Sequence, residues 1–586
     1  MKQTDSINNG VFDDPKLKGK PLKRFFRMLE LDKKDIYRVY VFAIFSGIIS
    51  LSLPLAIQGI ISQMMGMQLS ISIFVLIFIV SIAIFFSGAL QIIQLKIIED
   101  IQRRIFTRTS FEFAFKIPRF KIERVLSVYP PELINRFFDI LTIEKGLPKI
   151  IIDLSTSIIT IIFGLMLLSV YHPVFVFFGL LLLIFIYVLF KFTGKKGLET
   201  KMEQSSYKYA VAHWLQELGR SLITFKLMPY PNIAITNIDK KVSSYLDARK
   251  KHFNVLVTQY TAVIIFKTLI ITGLLVLGAL LVVNKELNLG QFVAVEIIIF
   301  IIVNAIEKLI LTLEFVYDVL VGMEKISQVL SMPVEEGKDI DFNLPESDKG
   351  ISIEVSQLSY AAFDNNHKAL ENINLEIKAG EKICIVGGNA SGKSTLLHLL
   401  SGIYSDYTGS ISYNNIPLQN FSPSDLTKQI ACCFYNDDIF TGTITDNITM
   451  GQSGLLNSIV DIAEHLGLKE FIQSLPEGYE TLLTPENRRY PKTFIQKIVL
   501  ARNICKQPKL LILDNFLSQF EATEKEKIMN FLLSEKQRWS LVIISNEKQI
   551  AEKCERLIML DKGAVVLDTS VLSALQDKRV KNILNS

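Results

Sequence analysis

Two kinds of hydrophobic patterning divide the chain. Between positions 36 and 315 apolar residues run in long uninterrupted stretches, whereas from 350 onward they come in short runs separated by helix-like segments. Six of the long stretches, near 36–62, 71–95, 150–170, 173–193, 256–283 and 291–315, are long enough to cross a bilayer, because about 20 apolar residues in a helix span the hydrocarbon core. The connections at 63–70, 171–172 and 284–290 are short, and the first two carry no Lys or Arg. Those at 96–149 and 194–255 are long and rich in both, and the lead-in adds Lys20, Lys23, Arg24, Arg27, Lys33 and Lys34. The bias of basic residues toward the cytoplasm predicts that both termini and both long links are cytoplasmic. The links read as helices that continue the spans, turning near Pro130 and Pro131 and near 229–231. Such stalks would offer two contact points for the domain that follows.

Composition sharpens this division. The 586 residues are 49% hydrophobic, with a mean hydropathy of +0.34, and so long a chain predicts two to four folding units. A net charge of +5 is small for this length and suggests no nucleic-acid partner. All five cysteines (Cys384, Cys432, Cys433, Cys505 and Cys554) lie in the second half without metal-type clustering, which fits free thiols in a reducing compartment. The first 35 residues are polar and basic, without a signal-peptide core. Within them and just beyond, PLKRFFRMLEL at 21–31 mixes Phe25, Phe26, Met28 and Leu29 with basic residues, a pattern that suits a helix lying on the membrane surface. Charges inside the spans are costly. Lys267 in the fifth span, with Glu296, Glu307 and Lys308 in the sixth, reads either as a polar path or pair, such as Lys267 with Glu296, or as groups that snorkel or satisfy one another.

The chemistry is concentrated in the second half. KICIVGGNASGKSTLL at 382–397 holds G-x-x-x-x-G-K-[ST] between an apolar strand and a helix-like stretch. Gly387 and Gly392 let the backbone wrap around phosphates, with Gly388, Asn389, Ala390 and Ser391 between them. Lys393 supplies a point charge, and the Ser394 hydroxyl can hold Mg²⁺. Downstream, PKLLILDN at 508–515 is a buried strand ending in Asp514, a carboxylate placed to hold the Mg²⁺ shell through water.

With these two motifs behind six spans, the chain resembles an ATP-binding-cassette (ABC) exporter half-transporter. The resemblance runs from about residue 20 to the end and is closest to bacterial peptide and protein exporters, the bacteriocin and type I secretion kind. SLPLAIQGII at 52–61 looks like their first span, and LNLGQFVAVEIII at 287–299 like the start of their sixth. These exporters often carry a peptidase-like domain ahead of the first span, and only about 35 residues stand there here. The implied fold class is a six-helix membrane bundle fused to a cytoplasmic α/β P-loop nucleotide-binding domain. The expected layout is an N-terminal segment at 1–35 with an interfacial helix, a transmembrane domain at 36–330, a linker at 331–349 and the nucleotide-binding domain at 350–586. The implied cofactors are ATP and Mg²⁺. The implied setting is the inner membrane, with the lipid bilayer and a second half-transporter, in a homodimer or heterodimer, as partners. Membrane-fusion and outer-membrane secretion proteins are further implied partners.

Carried over residue by residue, the resemblance is uneven. Tyr360 matches the aromatic that stacks on adenine. Gly387, Gly392, Lys393, Ser394 and Thr395 match the phosphate loop, and Ser394 and Asp514 match the metal-associated pair. Elsewhere the match fails. Tyr435, or Asn436 beside it, stands where the family has its loop glutamine. Tyr490, Pro491, Lys492, Thr493 and Phe494 replace the glycine-rich signature, and no glycine occurs between Gly478 and Gly563. Lys492, with Arg488 and Arg489, either reaches phosphate as a bare charge or forms a solvated basic turn. Asn515 takes the position of the general-base Glu and Asn546 that of the switch His, and Glu521 stands for the Asp of the dimer-contacting loop. Losing a general base costs about 10²–10⁴ in rate, roughly 3–5 kcal/mol of barrier. Low or absent hydrolysis is therefore expected in either kind of dimer. Two functions remain open on these grounds: a transporter subunit, or a non-hydrolysing, nucleotide-clamped regulator of a secretion assembly.

Overall fold

The computed structural model describes residues 21–65, 71–125, 130–228, 232–335, 350–361, 368–435, 438–452, 454–485 and 490–584. The fold separates into two units: Met1–Arg119 with Val128–Met332, and Phe120–Ser127 with Pro333–Ser586.

The first unit is helical and contains, among the described residues, six helices long and apolar enough to span a membrane, as the apolar stretches predict. Several far exceed a bilayer. Helices of 46 residues (Ile71–Lys116), 47 (Val174–Arg220) and 52 (Asn232–Val283) extend about 70–78 Å at 1.5 Å per residue, against a hydrocarbon core of about 30 Å. The surplus accommodates the basic links as continuous helix. The first span is broken at Leu51, between Lys33–Ser50 and Ser52–Met65. Pro54 explains the break: its ring would collide with the carbonyl four residues back, whereas the first turn of a new helix tolerates it. After Pro148 the third span widens into a π-helical turn, Lys149–Leu154. Pro130 opens a helix, Pro130–Asn135; the other expected turn, at 229–231, lies outside the described residues.

Leu289–Leu330 is the axis of this unit, with Ala294, Val295, Ile298, Ile302, Met323 and Ile326 nearly inaccessible. Small residues on neighbouring helices admit it: a Cβ at Gly164 would stand 2.7 Å from Ile302, and one at Gly146 2.2 Å from Val319. The lead-in helix Pro21–Glu30 buries Phe25 and Met28 and anchors Arg24 on Glu324 at 2.8 Å.

The span charges are paired differently from the pair the sequence offers. Lys267 meets Glu307 at 3.0 Å, not Glu296, and Lys308 meets Asp153 at 2.8 Å. Distance along the helix is the reason. Glu296 lies beside Gly278, eleven residues past Lys267 and so about 16 Å along the same helix. One Glu296 carboxylate oxygen is buried without a hydrogen-bond partner among the described residues.

The second unit is α/β. Its strands are β1 (Ile353–Ala361), β2 (Lys368–Ile377), β3 (Lys382–Gly387), β4 (Thr408–Tyr413), β5 (Ile416–Pro417), β6 (Ile430–Cys433), β7 (Gly442–Thr443), β8 (Leu482–Leu483), β9 (Leu510–Asp514), β10 (Ser540–Ile544), β11 (Arg556–Asp561) and β12 (Ala564–Ser570). A six-stranded sheet has the order β12-β11-β3-β10-β9-β6, and an antiparallel sheet the order β2-β1-β4-β5. In the larger sheet β11, β3, β10, β9 and β6 are parallel and β12 is antiparallel to β11. LLILD and SLVII are buried at every position, the continuous burial expected of central parallel strands. That arrangement brings the ends of β3, β9 and β10 side by side.

Candidate nucleotide site

The phosphate motif closes on itself. β3 ends at Gly387, and the helix Lys393–Leu400 begins six residues later. Ala390 (φ 58°) and Gly392 (φ 96°) are left-handed, so the chain folds into a concave loop suited to anions. Two glycines are sterically required. A Cβ at Gly387 would lie 2.3 Å from the Leu560 carbonyl oxygen, and one at Gly392 would lie 2.8 Å from that of Ala369. Gly388, Asn389 and Ala390 are exposed, Ser391 is buried, and Ser394 is exposed in the first helical turn with Thr395 half-buried beside it. Lys393 folds over the loop, donating to the carbonyls of Gly387 (2.8 Å) and Gly388 (2.7 Å) and to Ser391 Oγ (3.2 Å). Burial draws its pKa below the usual lysine value, against the opposing pull of Asp514. Asp514 itself is buried at the end of β9.

Asn546, just past β10, grips the base of the loop. Its Oδ1 accepts from the Gly387 N–H (3.2 Å), and its Nδ2 donates to the Gly387 carbonyl (3.0 Å). Asn515 is exposed and left-handed (φ 47°), a conformation asparagine tolerates. Its N–H donates to the Ile544 carbonyl at 3.1 Å, and its carbonyl accepts from Ser518. The strand ends thus gather the phosphate loop, Asp514, Asn515 and Asn546.

Tyr360 is not an exposed strand-end residue: it is 6% exposed. Tyr404 stacks on it with centroids 5.3 Å apart and planes 12° from parallel, and His398 and Phe434 continue the row. With one face covered, Tyr360 borders a cavity of about 490 Å³, also lined by Glu123, Arg124, Lys368 and Asp406. Burial, aided by Tyr404, Glu123 and Asp406, pushes the Tyr360 phenol up to about 12. Glu123 comes from the 120–127 segment and accepts the Ser405 N–H at 2.5 Å. Burial likewise lowers the His398 pKa, which Asp514 opposes. Sequence reading missed this row, because His398 and Tyr404 belong to no fixed-spacing motif and meet only through the turn after the phosphate-loop helix.

The segment that the resemblance aligns with the signature is aromatic. Pro491 precedes the helix Lys492–Cys505, Phe494 is buried, and Phe494 packs on Phe471 (4.5 Å) and Tyr490 (5.6 Å). Lys492 stands 4.9 Å over the ring of Tyr435, one of the two residues that the resemblance sets against the loop glutamine. Asn436, Arg488 and Arg489 lie outside the described residues. Arg502 ties this helix down, donating to the Asn447 carbonyl (2.7 Å), Asn447 Oδ1 (3.0 Å) and the Asp438 carbonyl (3.1 Å).

A strand-to-helix phosphate loop, an acidic strand end beside it and six spanning helices define an ABC exporter architecture, and comparison with known proteins agrees. Residues 370–518 match the family model for the ABC transporter domain. The chain therefore carries an ABC transporter domain, an ATP-binding domain, in a protein with an exporter fold. That fold is shared with a bacterial Atm1-family ABC exporter with ATP bound, at a TM-score of 0.84 and 16% identity, covering 94% of this chain and 98% of that one. The chain is homologous to the Lactococcin-A transport/processing ATP-binding protein LcnC of Lactococcus lactis, 30% identical over 58% of this chain and 47% of that protein. The Alpha-hemolysin translocation ATP-binding protein HlyB of Escherichia coli is 30% identical over 57% and 47%. The Leukotoxin translocation ATP-binding protein LktB of Mannheimia haemolytica is 27% identical over 64% and 52%. The chain thus spans about half the length of the curated relatives it matches.

The residues present fit a nucleotide phosphate with its metal ion. The loop is concave and sterically requires glycine, the lysine is held only by loop oxygens among the described residues, and a buried carboxylate stands nearby.

Proposed function

We propose that the chain is the ATP-binding half-transporter of an exporter moving a peptide, protein or other amphipathic substrate out of the cytoplasm, with little or no ATP hydrolysis of its own. Gly387 through Thr395 would hold the phosphates, Lys393 exchanging its loop carbonyls for phosphate oxygens, and Tyr360 would meet adenine from the wall of its cavity. Ser394 and Asp514 would hold Mg²⁺, which when bound neutralises phosphate charge. The observation that carries the reading is the pairing of this loop with amides at Asn515 and Asn546. An amide orients water through hydrogen bonds but cannot take its proton at neutral pH. Asn546 is moreover already engaged with Gly387 on both sides of its amide.

On this reading the chain works in the inner membrane with both termini cytoplasmic. A second half-transporter, identical or not, completes the dimer, since a lone half-transporter lacks the opposing cassette. Membrane-fusion and outer-membrane proteins are the partners in a secretion assembly. The export assignment draws on the names of the relatives, which transport lactococcin and translocate hemolysin and leukotoxin. The amides at positions 515 and 546 favour a second reading, a nucleotide-clamped regulatory or scaffolding subunit that never cycles. Inside-out vesicles holding the chain and its co-purifying subunits separate the two. ATP-dependent accumulation of peptides from the secreted fraction, lost with Lys393→Ala, supports the transporter. Lys393-dependent ATP retention without accumulation supports the clamp.

A further inference from the structure

The parallel sheet has a cavity at its other end as well. A cavity of about 680 Å³ lies where β9 and β10 begin, lined by Lys509 just before β9 and by Lys536, Arg538 and Trp539 just before β10. The phosphate loop is at the opposite strand ends, about 17 Å away by the length of a five-residue strand. The volume suits a small ligand.

The chemistry of the walls is specific. His465 lies exposed on the Phe531 ring, centroids 4.7 Å apart and 30° from parallel, and Phe531 meets Trp539 edge-on at 6.5 Å. Trp539 is fixed by its indole N–H, which donates to the Leu532 carbonyl at 3.1 Å. Of the three rings Trp539 is buried, Phe531 half-buried and His465 exposed, so His465 is the ring this row presents to solvent. Lys509, Lys536 and Arg538 surround the rings, with Asp461 as the acid in the lining. Lys509 is half-buried and Lys536 exposed, and neither ammonium has a carboxylate partner among the described residues. Cations that could spread into solvent instead gather beside a stacking surface, which matches a ligand with a planar ring and an anionic group.

We propose that this cavity binds a mononucleotide-sized ligand, its heteroaromatic ring on the His465–Phe531 shelf and its phosphate against Lys509 and Lys536. Ligation here would bridge the loops that lead into β9, which ends at Asp514, and β10, which Asn546 follows two residues on. The inference is independent of what the phosphate loop does, and its test is run with that loop disabled.

The test uses full-length Lys393→Ala protein in lipid nanodiscs and GMP as probe, with binding read by equilibrium dialysis. The chain has two tryptophans, so adding Trp214→Phe leaves Trp539 as a fluorescent reporter inside the cavity. Saturable GMP binding is expected, with guanosine and inorganic phosphate each at least about tenfold weaker. Combining Lys509→Ala with Lys536→Ala should weaken GMP by at least about tenfold at an unchanged melting temperature, the scale of lost charge-assisted contacts. His465→Ala should weaken GMP while leaving phosphate alone unaffected. Absence of saturable GMP binding up to millimolar concentration overturns the proposal. So does binding that survives the double lysine substitution, or phosphate binding as tightly as GMP.

Discussion

At the end of the parallel sheet, two groups of residues lie side by side and differ in what they can do. In the loop from Gly387 to Lys393 the backbone angles, the sterically required glycines and a lysine held only by carbonyl and hydroxyl oxygens all suit an incoming phosphate. Next to it, Asn515 and Asn546 present amides, and Lys492 lies over the Tyr435 ring where the resemblance expects the signature and, at Tyr435 or Asn436, the loop glutamine. Binding phosphate requires donors and a shape. Cleaving it also requires an atom that accepts a proton and an opposing set of N–H groups. On the proposed reading the cassette keeps the first capacity without the second.

The largest effect should come from supplying the groups that the resemblance expects at positions 515 and 546. Asn515→Glu combined with Asn546→His is expected to raise phosphate release by about 10²-fold or more at unchanged nucleotide retention, given what a general base contributes. An unchanged rate would place the limit in the 490–494 segment instead. Lys393→Ala should weaken ATP retention by about 10–100-fold, the scale of charge-assisted hydrogen bonds, measured by dialysis with labelled ATP.

Retention should also depend on pH with a definite sign. Burial holds the Lys393 pKa below its ordinary value, so the ammonium is lost earlier than an exposed lysine's as pH rises, and ATP affinity should fall on the alkaline side. For the empty protein the sign of stability is opposite. The unfolded chain binds the proton more tightly, so folding gains stability as pH rises between the folded and unfolded pKa values. Lys393→Arg should flatten both trends, which calorimetry and binding titrations can follow.

Asn546→Ala removes two hydrogen bonds from Gly387 and should cost about 1–3 kcal/mol of stability in the second unit, read as a fall in its melting temperature. The smallest effect belongs to the Lys492–Tyr435 contact. A double-mutant cycle with Lys492→Ala and Tyr435→Ala should give a coupling of about 0.5–1 kcal/mol, as for an exposed cation over an aromatic ring.

Much of this was legible in the sequence because it rests on local rules. Apolar run length gives the six spans, and fixed spacing gives the phosphate loop. What was not legible depends on helix phase and on turns. Lys267 and Glu296 suggest a pair when only their opposite charges in adjacent spans are compared, yet their depths differ and the antiparallel run of the helices hands Lys267 to Glu307. Tyr360 is identifiable by its motif, but Tyr404 covers it after a turn whose path no periodicity encodes. The grip of Asn546 on Gly387 joins residues 159 apart in sequence, and strand order alone brings them together. The aromatic shelf at the far end of the sheet is equally non-local, since His465, Phe531 and Trp539 come from three segments.

The central claim, nucleotide held but not cleaved, is tested most directly by incubating the membrane-reconstituted chain with γ-labelled ATP and scoring bound nucleotide and released phosphate together, with Lys393→Ala as reference. The account predicts intact, Lys393-dependent bound ATP with phosphate release near the reference. Steady Lys393-dependent release by the chain alone would contradict it and would mean that Asn515 and Asn546 support hydrolysis by other chemistry.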